Sequence, residues 1–123
     1  MSPLLLLAIG VAGGVGAGLR YLVDTGVRRV VPRRFPWGIL LVNISGSFAL
    51  GAVTGAVLSA ELTAIIGTGF LGGYTTFSAV AVESWLLGEE RRAGQAWGNL
   101  VGTALACIAA AGLGALVGRA LTA

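Results

Sequence analysis

Gly69-Phe70-Leu71-Gly72-Gly73-Tyr74-Thr75-Thr76-Phe77-Ser78 lies in the middle of a long apolar segment, residues 62–87, that is wide enough to cross a bilayer. Its composition conflicts with a plain spanning helix. Paired glycines lose more backbone entropy than other residues, and the two threonines are stiff at χ1. Broken backbone at membrane depth is tolerated only where protein or a water-filled cavity covers it. Two readings are open. The break exposes carbonyls and N–H groups that bind ions, as in discontinuous transporter helices, or it is a glycine kink whose backbone the threonine hydroxyls satisfy.

The rest of the chain sets this stretch in a membrane. Of 123 residues, 56% are hydrophobic and 11% charged, and the mean hydropathy is +0.91. Too few polar residues are present to clothe a soluble domain. The apolar runs predict four spans, at residues 3–23, 37–58, 62–87 and 96–118, in a single four-helix unit. Pro3 suits a helix start, where its missing N–H is no loss. A basic segment with Asp24, Arg28, Arg29, Arg33 and Arg34 separates the first two spans. A tight turn at Ser59, Ala60 and Glu61 and a polar loop over residues 88–95 separate the others. The first run is not a secretory signal: it lacks a basic leader and continues through Leu22.

A pI near 10.0 could suggest nucleic acid, but the positive charge sits between apolar runs without interleaved aromatics, so no nucleic-acid partner is expected. All eight cationic side chains are arginine, histidine is absent and Cys107 is the sole cysteine. Disulfides within the chain, Cys/His metal sites and histidine acid–base chemistry are therefore excluded. Seven arginines, Arg20, Arg28, Arg29, Arg33, Arg34, Arg91 and Arg92, fall on one face and Arg119 alone on the other. The positive-inside rule makes the first face cytoplasmic. Tyr21, Trp37, Trp85 and Trp97 sit at span ends on that face, as an interfacial belt does. Glycines recur at spacing four: Gly10, Gly14 and Gly18; Gly51 and Gly55; Gly98 and Gly102; Gly114 and Gly118. They are read as helix-packing grooves of a tight bundle.

Few polar groups are buried in these spans. Asn43, Ser47 and Thr54 share one face of the second span. A buried amide needs partners, so Asn43 either bonds between helices or lines a pathway. A stripe of uncharged donors would suit a small anion. Asn99, Thr103 and Cys107 make a similar stripe on the fourth span. Glu83 is the only carboxylate within a span, and it could be a proton site, a cation ligand or a partner for Arg20.

Three motifs occur in order along the chain: residues 13–21, Gly-Gly-Val-Gly-Ala-Gly-Leu-Arg-Tyr; residues 37–48, Trp-Gly-Ile-Leu-Leu-Val-Asn-Ile-Ser-Gly-Ser-Phe; and residues 69–78, quoted above. Together they resemble the CrcB/Fluc fluoride channel family. The resemblance implies an all-α membrane protein whose third helix is broken mid-membrane. It implies an antiparallel, dual-topology dimer in the bacterial plasma membrane, with two narrow pores that pass fluoride passively out of the cell and relieve its toxicity. Asn43 and Phe77 match pore positions, and Ser47, Thr76, Ser78, Val80 and Thr103 are placed with them along the anion path. Arg20, Glu83 and Asn99 are placed in the vestibule and the polar track beside it. Gly72 and Thr75 match positions whose backbone carbonyls hold a structural sodium ion (Na+) between the subunits.

Three features depart from the family pattern. Val80 stands where a second phenylalanine is common, Asn99 where a tyrosine is common, and the arginine bias is strong for a chain that inserts both ways. These features favour pairing with an oppositely oriented paralogue, in which one pore can be degraded. The competing reading is a small four-span drug/proton antiporter, although the first span lacks the acid such a coupling needs. A third is a membrane scaffold without transport. No nucleophile–base pair or cofactor motif points to an enzyme.

Overall fold

The computed structural model describes residues 2–32 and 34–122; Arg33, counted above in the basic segment, lies outside the described residues. Among the described residues, four helical spans are long and apolar enough to cross a bilayer. The first is helix α1 (Pro3–Val30), whose Ser2 hydroxyl caps it by accepting the Leu5 N–H at 3.1 Å. The second is α2 (Trp37–Gly55). The third, Ala60–Glu89, is assembled from α3 (Ala60–Thr63), a π-helical stretch (Ala64–Leu71), α4 (Gly72–Tyr74) and α5 (Ser78–Glu89). The fourth is α6 (Ala93–Thr122).

Several boundaries differ from the sequence expectation. Helix α1 runs past residue 23 and absorbs Asp24, Arg28 and Arg29, which were read as loop. Its 28 residues rise roughly 42 Å at 1.5 Å each, against a hydrocarbon core of about 30 Å. Hydropathy therefore marks only the submerged part, and an i,i+4 ion pair between Asp24 and Arg28 at 3.1 Å supports the helix beyond it. Helix α2 stops at Gly55 rather than near residue 58, because Val57 takes a left-handed conformation with φ 53°. The turn before the third span lies at residues 56–59, and Ser59 caps α3 by accepting the Leu62 N–H at 3.2 Å. The second polar loop shrinks to residues 90–92. There Arg91 at φ 59° closes α5: its N–H reaches the Gly88 carbonyl, and the Arg92 N–H reaches the Leu87 carbonyl.

The glycines split into two populations. A methyl group on Gly51 or Gly55 would overlap the Ala111 or Ala115 carbonyl, and one on Gly114 or Gly118 would overlap that of Phe48 or Ala52. This reciprocal seam presses α2 onto α6, the most extensive contact between two helices among the described residues. Gly10, Gly14, Gly18, Gly98 and Gly102 meet nothing within 4 Å and face outward. On α1 the packed glycine is Gly16, against the backbone at Phe70 and Tyr74. Lipid supplies little hydrophobic drive between helices, so these backbone contacts and the small core of Val42, Leu71 and Tyr74 hold the bundle. Tyr21, Trp37, Trp85 and Trp97 are exposed, as an interfacial belt requires.

The break begins only at the threonine end of the stretch expected to interrupt the span. Gly72 and Gly73 are helical, and no glycine has positive φ. Gly73 answers to packing, since a side chain there would strike the Gly13 backbone. The chain leaves the helix at Thr75, with ψ 159°, and re-enters it at Ser78. Before the break the third span packs on α1; after it, α5 packs on α6. The interruption lets one span change partners.

Candidate functional site

The break is fastened by one side chain. Asn43, 6% exposed on α2, donates through Nδ2 to the Thr76 carbonyl at 2.8 Å and accepts the Thr76 N–H through Oδ1 at 2.8 Å. Both backbone groups of an unwound residue are thus satisfied without water, which buried backbone requires. The amide of asparagine carries two donors, and the second finds no partner among the described residues. Thr76 Oγ1 in turn accepts the Ala79 N–H at 3.2 Å and shares a 3.2 Å hydrogen bond with Ser78. Helix α5 therefore begins at the break, and its N-terminal end carries the partial positive charge of the helix dipole.

A groove of about 450 Å³ opens beside the break. Asn43 and Ser47 line it from α2; Gly72, Thr75, Thr76, Phe77 and Val80 from the third span; Leu100, Thr103, Ala104 and Cys107 from α6. No lining side chain carries a charge, and the polar ones are amide, hydroxyl and thiol. Ser47 makes no hydrogen bond to protein among the described residues, so its hydroxyl is free to serve a guest. Phe77 is 78% exposed, with its ring on the outer surface of the chain. Thr75 turns its hydroxyl back to the Leu71 carbonyl at 3.0 Å, and its methyl packs on Gly46.

The groove unites Asn43, Ser47, Gly72, Thr75, Thr76, Phe77, Val80 and Thr103, all singled out from sequence. It leaves out four others. Ser78 is exposed and bonds only Thr76. Asn99 is 1% exposed and sealed between α5 and α6: Nδ2 donates to Ser84 Oγ at 2.9 Å and to the Val80 carbonyl at 3.5 Å, and Oδ1 accepts the Thr103 hydroxyl at 3.4 Å. Arg20 makes no hydrogen bond or ion pair among the described residues. Glu83 pairs with Arg28 at 3.3 Å, not with Arg20, because α1 continues far enough to bring Arg28 beside it. This pair lines a separate cavity of about 250 Å³ at the arginine-rich end, with Asp24 and Arg34. Thr54 bonds its own helix at the Leu50 carbonyl and joins neither cavity.

Sequence reasoning missed Leu100, Ala104 and Arg28. Leu100 and Ala104 could have been found, since they adjoin Thr103 and Cys107 at helical spacing on one face. Arg28 was hidden by its reading as loop; its spacing of four from Asp24 was the available signal.

Comparison with known proteins places these features in context. Residues 7–115 match the family described as "CrcB-like protein, Camphor Resistance (CrcB)". The fluoride-specific ion channel FluC 1 of Leifsonia xyli subsp. xyli is 43% identical over 122 residues, covering 96% of this chain and 89% of that protein. FluC 2 of Mycobacterium tuberculosis is 45% identical over 102 residues, covering 83% and 81%. FluC of Mesorhizobium japonicum is 37% identical over 125 residues, covering 98% and 99%.

Proposed function

The chain belongs to the CrcB-like family, and we propose that it is a subunit of a passive fluoride-selective channel whose anion path runs through the groove at the break. The carrying observation is a groove without charge, lined by donors and set at the N-terminal end of α5. Fluoride is small and strongly hydrated, so a pore must replace the water it strips away. The free Asn43 N–H and the Ser47 hydroxyl can do so, and the α5 N-terminus favours negative charge. The edge of an aromatic ring is positive, so Phe77 can meet the anion edge-on. A constriction lined this way excludes larger halides by size. The protein is a multi-pass membrane channel and not an enzyme.

Function in the bacterial plasma membrane, venting fluoride from the cytoplasm, is part of this reading, and the bacterial relatives named as fluoride-specific ion channels support it. A second subunit in inverted orientation would cover the exposed Gly72 and Phe77 and close the groove into a pore. The seven-to-one arginine bias favours one orientation for this chain, which argues for an oppositely biased paralogue as that partner. The antiporter reading finds no support, because Glu83 lies outside the groove and is paired with Arg28.

The backbone also fits a sodium ion held at the dimer centre. The carbonyls of Gly72 and Thr75 accept no hydrogen bond among the described residues, and carbonyl oxygens are hard ligands suited to a group-one cation. Bound there, the ion would neutralise carbonyl dipoles that the break leaves without a donor.

Reconstitution in liposomes, of the chain alone and of the chain co-expressed with an oppositely biased paralogue, tests this reading. Fluoride efflux that exceeds chloride efflux and needs no proton gradient is expected. Thiol-specific modification of Cys107, which lines the groove, should block it. Flux only on co-expression with a paralogue would assign the partner. Undiminished flux after complete Cys107 modification would remove the groove from the pathway.

A further inference from the structure

Hydrogen bonding around the break links the anion groove to the carbonyls of the cation site. In a continuous helix the N–H of residue 76 would bond the carbonyl of residue 72. The ladder here ends one residue earlier, with the Thr75 N–H on the Leu71 carbonyl at 3.0 Å. The next donor, the Thr76 N–H, goes to Asn43 Oδ1 at 2.8 Å, and the Thr76 carbonyl is held by Asn43 Nδ2 at 2.8 Å. Asn43 thus removes both backbone groups of Thr76 from competition, and the Gly72 carbonyl loses its helical donor. Gly73 is packed on the Gly13 backbone, and Tyr74 is buried with its hydroxyl 2.9 Å from that of Ser45. Among the carbonyls left without a donor, Gly72 alone belongs to an exposed residue, with Thr75 half-buried beside the groove.

We propose that Asn43 is a positioning residue for the cation: by capturing the Thr76 N–H, its side-chain oxygen keeps the Gly72 carbonyl free to face sodium. This rests on the sodium reading above and adds to it a direct coupling between the groove and the dimer centre. One carboxamide then serves both ions, its free N–H directed to the anion and its oxygen maintaining the cation's ligand set. Without that acceptor, the Thr76 N–H returns to the Gly72 carbonyl, the ladder advances a residue and a sodium ligand is lost.

The experiment is thermal denaturation of the purified, dimeric protein, followed by tryptophan fluorescence, in sodium chloride and in N-methylglucamine chloride at equal ionic strength. A ligand that binds only the folded state raises the melting temperature, so wild type should melt higher in sodium. Asn43→Leu should lose that sodium-dependent increment. Asn43→Asp retains an acceptor for the Thr76 N–H and should keep the increment, while its negative charge stops fluoride flux in liposomes. A merely structural role would lower both melting curves of Asn43→Leu equally and leave the increment intact, which would overturn the proposal. If Asn43→Leu does not fold, a folded Asn43→Asp without the increment overturns it instead. A wild type indifferent to sodium would defeat the cation reading itself and this inference with it, leaving the fluoride reading to its own flux test.

Discussion

Asn43 and Asn99 are both buried amides facing the third span, and they do different work. Asn43 meets the span where its backbone is broken, so both atoms of its carboxamide go to the main chain of Thr76 and one N–H remains beside the groove. Asn99 meets the span where α5 is regular, so it finds side chains: Ser84 and Thr103, with only a long contact to the Val80 carbonyl. The first borders the candidate groove and the second fastens α5 to α6. The same residue type keeps a donor beside a groove or is sealed between helices according to whether the facing backbone has already satisfied itself.

Substitutions can break this contrast or sharpen it. The largest effect is expected from Asn43→Leu. It removes a donor to a charged guest and leaves the Thr76 carbonyl without its partner, a loss of about 3 kcal/mol, so fluoride flux should fall by roughly two orders of magnitude. Liposome efflux measures it, and flux within a few-fold of wild type would erase the distinction between the two amides. Asn99→Leu should act on the other quantity. Ser84 and Thr103 lose their buried partner, and stability should drop by about 2 kcal/mol, read as a lower melting temperature, while flux per folded channel stays near wild type. A large flux defect in stably folded Asn99→Leu protein would bring Asn99 back into the pathway.

Ser47→Ala sharpens the comparison from within the groove. Its hydroxyl has no partner in the chain, so deletion leaves stability unchanged and costs about 1 kcal/mol of anion stabilisation, a several-fold fall in flux. The smallest effect is expected from Val57→Gly, far from both amides. A β-branched residue in left-handed conformation costs about 1–2 kcal/mol, partly offset by the greater freedom of glycine when unfolded. A net gain of about 0.5 kcal/mol in stability, with unaltered flux, would separate general stability from conduction.

Much of the site was legible before any fold was known. Asn43, Ser47, Thr76, Phe77 and Thr103 stand out because polar or aromatic groups in an apolar span must have a reason to be there. The position of the break was legible only in part: Thr75 and Thr76 lie in the interrupted stretch, but the glycines before them do not leave the helix. Gly72-Gly73 is the weaker helix former, yet it stays helical because its missing side chains let the third span close on α1. Thr75 and Thr76 leave the helix because Asn43, remote in sequence, holds the Thr76 backbone. Local propensity marked the whole stretch, and a tertiary hydrogen bond chose its threonine end.

The amino-acid sequence by itself determined that this chain lives in a bilayer, crosses it four times and carries only a handful of polar groups at depth. Those properties depend on transfer free energy and on span length, which are sums over local residues. Tertiary structure decided which glycines meet a neighbour, that Glu83 pairs with Arg28, and that one asparagine is sealed while the other borders the groove. Each of these turns on distances between residues far apart in the chain, and a hydrogen bond or a backbone contact exists only once both partners are in place.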